Sequence, residues 1–298
     1  MTIDDIIDYF KTTQATITQA IEAFEPKIKF QGELQKNERG HAKPQILSDG
    51  AIIEKAAVNF THSIGQKLPP AATIRKPELA GSPFQAVAIS LIVHPQNPYV
   101  PTTHANLRFF LIGDDISSGD WWFGGGFDLT PYYPFLEDVV HWHQMSKNAC
   151  APFGEHLYPQ FKDACDEYFY IPHRKETRGV GGLFFEDMNT GDSEQDFALV
   201  KSIGDHFLKA YLPIIEKRYQ MPFGEKEREH QMLRRGRYAE FNLIYDRGTK
   251  YGLQSGRRIE SVLASMPPVV KWGYQYQPEE GSPEADIFQY LHPRDWLL

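Results

Sequence analysis

Three stretches of this chain gather side chains that bind anions, exchange protons or accept hydrogen bonds. The first runs His94-Pro-Gln-Asn-Pro-Tyr-Val-Pro-Thr-Thr-His104-Ala-Asn106-Leu-Arg108 and resumes at Trp121-Trp-Phe-Gly-Gly-Gly-Phe-Asp128-Leu-Thr-Pro. The second is His173-Arg174-Lys-Glu-Thr-Arg178-Gly-Val-Gly-Gly. The third is Glu240-Phe-Asn-Leu-Ile-Tyr-Asp246-Arg247-Gly-Thr, continuing through Gly256-Arg257-Arg258-Ile-Glu-Ser. Guanidinium forks match carboxylates, ionised Asp side chains accept from N–H donors, and imidazole trades protons near neutral pH. Together they are denser in polar residues than a fold needs. Each pattern taken alone also fits an ordinary solvated surface.

Composition narrows the field. The chain has 298 residues, 41% of them hydrophobic and 13% aromatic, as in a soluble globular protein with a sizeable core. Its formal net charge of -8 argues against nucleic acid and would repel a polyanion at long range, so local arginines must hold any anionic substrate. No apolar run reaches the roughly 18 to 20 residues of a membrane helix, and the opening residues Met1 to Asp5 are no signal peptide; a cytoplasmic protein is expected. Two cysteines, Cys150 and Cys165, make neither a disulfide framework nor a C-x-x-C motif.

The elements that must position these residues follow from periodicity. Helical spacing predicts helices over 3–24, 51–64, from Pro134 to about Ala149, over 155–168 and from Ser193 to about Arg218, with a short one over 259–266. Ser193 and Asp196 resemble a capping box at the start of the long helix. Strands are expected at 84–93, 107–112, 121–129, 181–186 and 237–245, and a loop at 33–43. Connections this short make consecutive strands antiparallel. One α+β domain over 1–298, an antiparallel sheet with helices against it, is the simplest arrangement. In the strand around Asn106, that residue and Arg108 share a face; alternation over 237–245 sets Asn242, Ile244 and Asp246 together against Phe241, Leu243 and Tyr245.

The order and composition of these stretches, down to the closing His-Pro-Arg-Asp-Trp, resemble the oxygen-dependent coproporphyrinogen III oxidases from about Ser82 onward. The resemblance implies that coproporphyrinogen III and two molecules of dioxygen give protoporphyrinogen IX, two carbon dioxides and hydrogen peroxide, as two propionates become vinyls. It also implies a homodimer, a seven-stranded antiparallel sheet flanked by helices on both faces, and no flavin or nicotinamide. Gly179-Val-Gly181-Gly182 agrees in lacking the third glycine of a dinucleotide fingerprint.

Such a substrate carries four propionates around neutral pyrrole N–H donors. Arg108, Arg174, Arg178, Arg247 and Arg258 can supply the forks, each charge-assisted bond being worth about 1.5 to 3 kcal/mol. Asp128 and Asp246 are candidate acceptors for a pyrrole N–H, which would stabilise an electron-poor ring. By resemblance Ser90, Asn106 and Gly256, Arg257 and Arg258 also lie at substrate, with Arg257 where relatives tend to carry a smaller residue, and His104 is a candidate proton donor. Bacterial members suggest His94, His104, His143 and His173 as ligands of a divalent metal; the alternative is that these imidazoles donate to propionates, orient neighbours or sit in the core. A tetrapyrrole carrier without catalysis, or a histidine-metal oxygenase acting on another aromatic acid, are the competing functions.

Overall fold

Alternation of side chains, more than their individual propensities, decides where this chain extends. Ala56, Val58 and Phe60 recur every second residue and are buried, while Lys55, Asn59 and Thr61 between them are not fully covered. That period of two overrides the helix-forming alanines, so the segment expected as a second helix is a long strand. The computed structural model describes residues 1–68, 76–254 and 258–298.

Helix α1 is Ile3–Glu22, followed by strands β1 (Gln35–Asn37), β2 (Gly40–Lys43), β3 (Ile46–Ser48), β4 (Ile53–Gly65), β5 (Phe84–Pro95), β6 (Thr102–Ile112) and β7 (Trp121–Thr130). Helices α2 (Leu136–Cys150) and α3 (Leu157–Tyr168) come next, then β8 (Tyr170–Ile171), β9 (Glu176–Thr177) and β10 (Gly181–Met188). The chain continues through α4 (Ser193–Arg218), α5 (Glu225–Ile244), α6 (Arg247–Gln254) and α7 (Ile259–Val262). The main sheet runs β1-β2-β4-β5-β6-β7-β10, antiparallel throughout, with the short β3 also pairing with β4. This is the α+β architecture expected, seven strands in continuous order and an eighth beside them.

Three local expectations fail for identifiable reasons. The segment 33–43 is a hairpin, not a loop: Asn37 pairs with Gly40 across a tight turn, and its polar edge strands carry no apolar period to announce them. The segment 237–245 is the end of helix α5, not a strand. Its buried residues His230, Arg234, Tyr238, Phe241 and Asn242 follow helical spacing, but the buried side is rich in charge, so hydropathy does not reveal it. Helix α4 is capped by Asp192, whose carboxylate accepts from the Gln195 amide at 3.0 Å, while Asp196 instead binds Thr190.

One face of the sheet is a continuous core. Val87, Ile89 and Leu91 of β5, Leu107 and Phe109 of β6 and Phe123 and Phe127 of β7 pack with Ile6, Phe10 and Ile17 of α1 and with Val200, Ile203 and Phe207 of α4. Residues between them point the other way, toward α5, α6 and α7. There the contact is partial: Ala57 and Ile92 meet Tyr238 and Ala264, and the rest of that face stays open enough to hold a site.

Candidate active site

The open face displays a row of polar residues set by register. Ser90 of β5 lies opposite Asn59 of β4 and Asn106 of β6; Asn106 opposes Gly126 of β7, and His104 opposes Asp128. Direct opposition brings His104 Nδ1 to 2.9 Å from Asp128 Oδ1. Gly126 has φ +139, and a Cβ there would fall 1.8 Å from the Leu183 carbonyl oxygen, so only glycine lets β10 approach β7 this closely.

Asp128 is 2% exposed, and so is its second partner, Arg178. Arg178 Nη2 donates to both carboxylate oxygens at 2.8 Å, and Nη1 donates to Asn242 Oδ1 of α5 at 2.6 Å. The guanidinium lies among the rings of Phe169, Tyr238 and Phe241, at 4.0, 4.6 and 4.9 Å from their centroids. Burial alone would raise the Asp128 pKa, but the Arg178 charge and the His104 hydrogen bond outweigh it and hold the carboxyl below its ordinary value. An ionised carboxylate only accepts, so His104 carries its proton on Nδ1 and has Nε2 left for exchange. Arg178 is thereby committed inside the protein and is not a free fork for a propionate.

A second cluster sits farther along the same face. Arg108 Nη1 donates to Asn106 Oδ1 at 2.7 Å and Nη2 to Glu186 Oε1 at 3.0 Å. Arg247, at the start of α6, reaches Glu186 Oε2 at 2.7 Å and lies 4.6 Å over the Tyr168 ring. Tyr168 in turn stacks on Phe184 at 4.2 Å, giving a flat aromatic floor under two cations. A groove of about 980 Å³ opens at this end, lined by Tyr168, Phe184, Glu186 and Arg247 among others.

Asp246 does not project from a strand end beside Asn242; it caps α6. Its Oδ2 accepts from the Thr249 amide and hydroxyl at 2.7 and 2.8 Å, and Oδ1 accepts from the Tyr168 hydroxyl at 2.8 Å. Arg247 pairs with Glu186 rather than with Asp246. A carboxylate has about four lone-pair sites, so one remains for a further donor.

The four histidines suggested as metal ligands are dispersed. His94 is fully buried, between the Thr102 hydroxyl at 3.1 Å and the Ser265 carbonyl at 2.9 Å. His143 is fully buried between Tyr158 and Val180, and burial pulls its pKa down to about 4. Both ring nitrogens of each are already engaged. His173 and Arg174 share Glu240 near the surface, away from His104. Among the described residues no three His, Cys, Asp or Glu side chains gather as a metal ion requires, so this arrangement does not fit the suggested site. Arg258 stands exposed at the start of α7; Gly256 and Arg257 lie outside the described residues.

Sequence reasoning passed over Glu186, Tyr168 and Phe169, and set Asn242 beside Asp246 rather than against Arg178. Glu186 could have been found, because it closes an expected strand two residues after Phe184 and so shares its face. A strand over 237–245 puts Asn242 on the side of Asp246; the helix turns it to Arg178 instead. A coproporphyrinogen III oxidase family model matches residues 5–296, and the chain belongs to that family.

Proposed function

We propose that this protein is the oxygen-dependent form of coproporphyrinogen oxidase, converting two propionates of coproporphyrinogen III to vinyls. The family places it in porphyrin and haem biosynthesis with that substrate. The observation that carries the finer reading is the meeting, on one open sheet face, of an arginine cluster over an aromatic floor with the His104–Asp128 pair. Arg108, Arg247 and Arg258 bind propionates, with Ser90 and Asn106 offering neutral donors beside them. His104, oriented by Asp128, handles a proton through Nε2. Asp246 accepts a pyrrole N–H with its remaining lone pair and stabilises the ring as it loses electrons.

Each decarboxylation removes two electrons, one carbon dioxide and the hydrogens that leave a vinyl group, and dioxygen takes up the electrons and protons as hydrogen peroxide. Cys150 and Cys165 are both buried and too few for an all-cysteine iron–sulfur cluster, which favours dioxygen as the acceptor. No flavin or nicotinamide enters this scheme. No helix among the described residues is long and apolar enough to cross a membrane, which accords with work in the cytoplasm.

Oxygen uptake with coproporphyrinogen III in metal-stripped buffer tests the proposal. Uptake of two dioxygens per protoporphyrinogen IX is expected; none would indicate a carrier, and uptake that disappears with the metal would indicate a metal-dependent oxygenase. The protein is further proposed to act as a homodimer. Leu243, Ile244, Leu253 and Trp272, each about half exposed, give the segment from Tyr238 to Trp272 an apolar surface that a second copy would cover. Light scattering at micromolar concentration should return twice the chain mass.

A further inference from the structure

The route by which Arg108 reaches Glu186 is built by three separate features of the sheet. Pairing between β10 and β7 slips between Phe185, opposite Gly125, and Met188, opposite Phe123, so Glu186 and Asp187 together stand against Gly124. Asp187 holds φ +52, a left-handed conformation unusual outside glycine, and the bulge it closes aims Glu186. On the other side of β7, Gly124 is the partner of Arg108. A Cβ on Gly124 would lie 2.8 to 2.9 Å from the Arg108 guanidinium, so Arg108 crosses β7 at a residue without a side chain.

The carboxylate then divides its oxygens, Oε1 to Arg108 and Oε2 to Arg247, a residue from a helix far along the chain. Two guanidinia this close repel one another, and their long stems would otherwise sample many rotamers. The bridging carboxylate removes both problems and leaves the three groups together with one net positive charge. Each fork keeps N–H groups that Glu186 and Asn106 do not use.

We propose that Glu186 is a positioning residue that yokes Arg108 and Arg247 into one two-pronged receptor for neighbouring carboxylates of a single substrate molecule. This rests on the reading of the face as a coproporphyrinogen site. Glu186 need not touch substrate; it fixes the spacing of the prongs, and so favours ligands whose carboxylates match that spacing over ligands with only one.

The test compares wild type with Glu186→Gln and Gly124→Ala, using coproporphyrinogen III and an analogue in which one of two neighbouring propionates is an ethyl group. Glu186→Gln should raise KM for coproporphyrinogen III about tenfold or more with kcat within about threefold, the signature of lost ground-state positioning. Gly124→Ala leaves every charge in place but pushes the Arg108 guanidinium aside, and should shift KM the same way. The double variant should be less than additive, since both changes break one receptor. For the analogue, KM should barely change among the three proteins. A KM unchanged in both variants, even with a lowered Tm, would make Glu186 a structural brace and overturn the proposal. So would a lowered KM, which would mark Glu186 as a competitor of the substrate. Fluorescence binding of coproporphyrin by wild type separates the two levels: absence of binding there takes the coproporphyrinogen reading down as well, whereas normal binding with indifferent variants sinks only the role of Glu186.

Discussion

On the side of the sheet turned to α1 and α4, Leu107, Phe109 and Leu111 are sealed in the core, whereas the residues alternating with them, Asn106, Arg108 and Phe110, remain partly exposed under α5 and α6. The same strand therefore serves stability at odd positions and chemistry at even ones. The histidines divide by burial instead. His94 and His143 are buried with both nitrogens bonded, while His104 keeps one nitrogen for the open face. Parity sorts the residues of β6, but His94 follows Ile92 on the face turned to α5 and is still closed off, because Thr102 and Ser265 occupy both its nitrogens.

Substitutions across the two faces should separate cleanly. The largest effect is expected for Phe109→Ala, which empties a fully buried site and should cost about 3 to 5 kcal/mol of unfolding free energy by denaturant titration, with near-normal KM in the surviving folded protein. Next comes Asp246→Asn. Asparagine caps helices about as well as aspartate, so the fold should hold while the lost charge raises the barrier by about 2.7 to 4 kcal/mol, a fall in kcat of a hundredfold or more. A folded variant with wild-type kcat would reduce Asp246 to a cap. Arg108→Ala should follow, losing a charge-assisted bond worth about 1.5 to 3 kcal/mol, read as a raised KM with little change in Tm.

The smallest effect is a slope. Burial chiefly, with help from the Lys162 charge and against the Val180 carbonyl, lowers the His143 pKa to about 4. The unfolded chain takes up a proton as pH drops below the usual value of about 6.5, and the folded one does not until about 4. Stability should therefore be complete above that upper value and decline through the window between them. His143→Asn should be less stable throughout but lose Tm less steeply over that window; an unchanged slope would contradict a neutral, buried His143.

Much of the sheet was legible because its strands carry β-branched and aromatic residues at a period of two, as in Phe84 to Val93 and Trp121 to Leu129. Helix α5 was not, because its buried side includes Arg234 and Arg235, whose charges are met by Glu176 and Glu54 from distant segments. Partners of that kind are invisible until the chain is folded. The same limit applies to the site. Asn106 and Arg108 are two residues apart and could be placed on one face, but the opposition of His104 to Asp128 depends on strand register, and that of Arg108 to Glu186 on a bulge. Arg178 was read as a substrate fork because nothing local distinguishes an arginine that meets a propionate from one that meets Asp128.

The sequence distances within the His104 cluster imply an order of assembly. His104 and Asp128 are 24 residues apart on adjoining strands, Arg178 is 50 beyond Asp128, and Asn242 another 64 beyond Arg178. Consecutive strands β5 to β7 can pair as soon as they are synthesised, since their contacts close short loops. The buried carboxylate of Asp128 then waits for a counter-charge from later in the chain, and that arginine waits for its amide from α5. A nascent chain that has released only the first 130 or so residues could thus hold a formed sheet and an exposed, hydrated Asp128, and it would become competent only after the second half had closed over it.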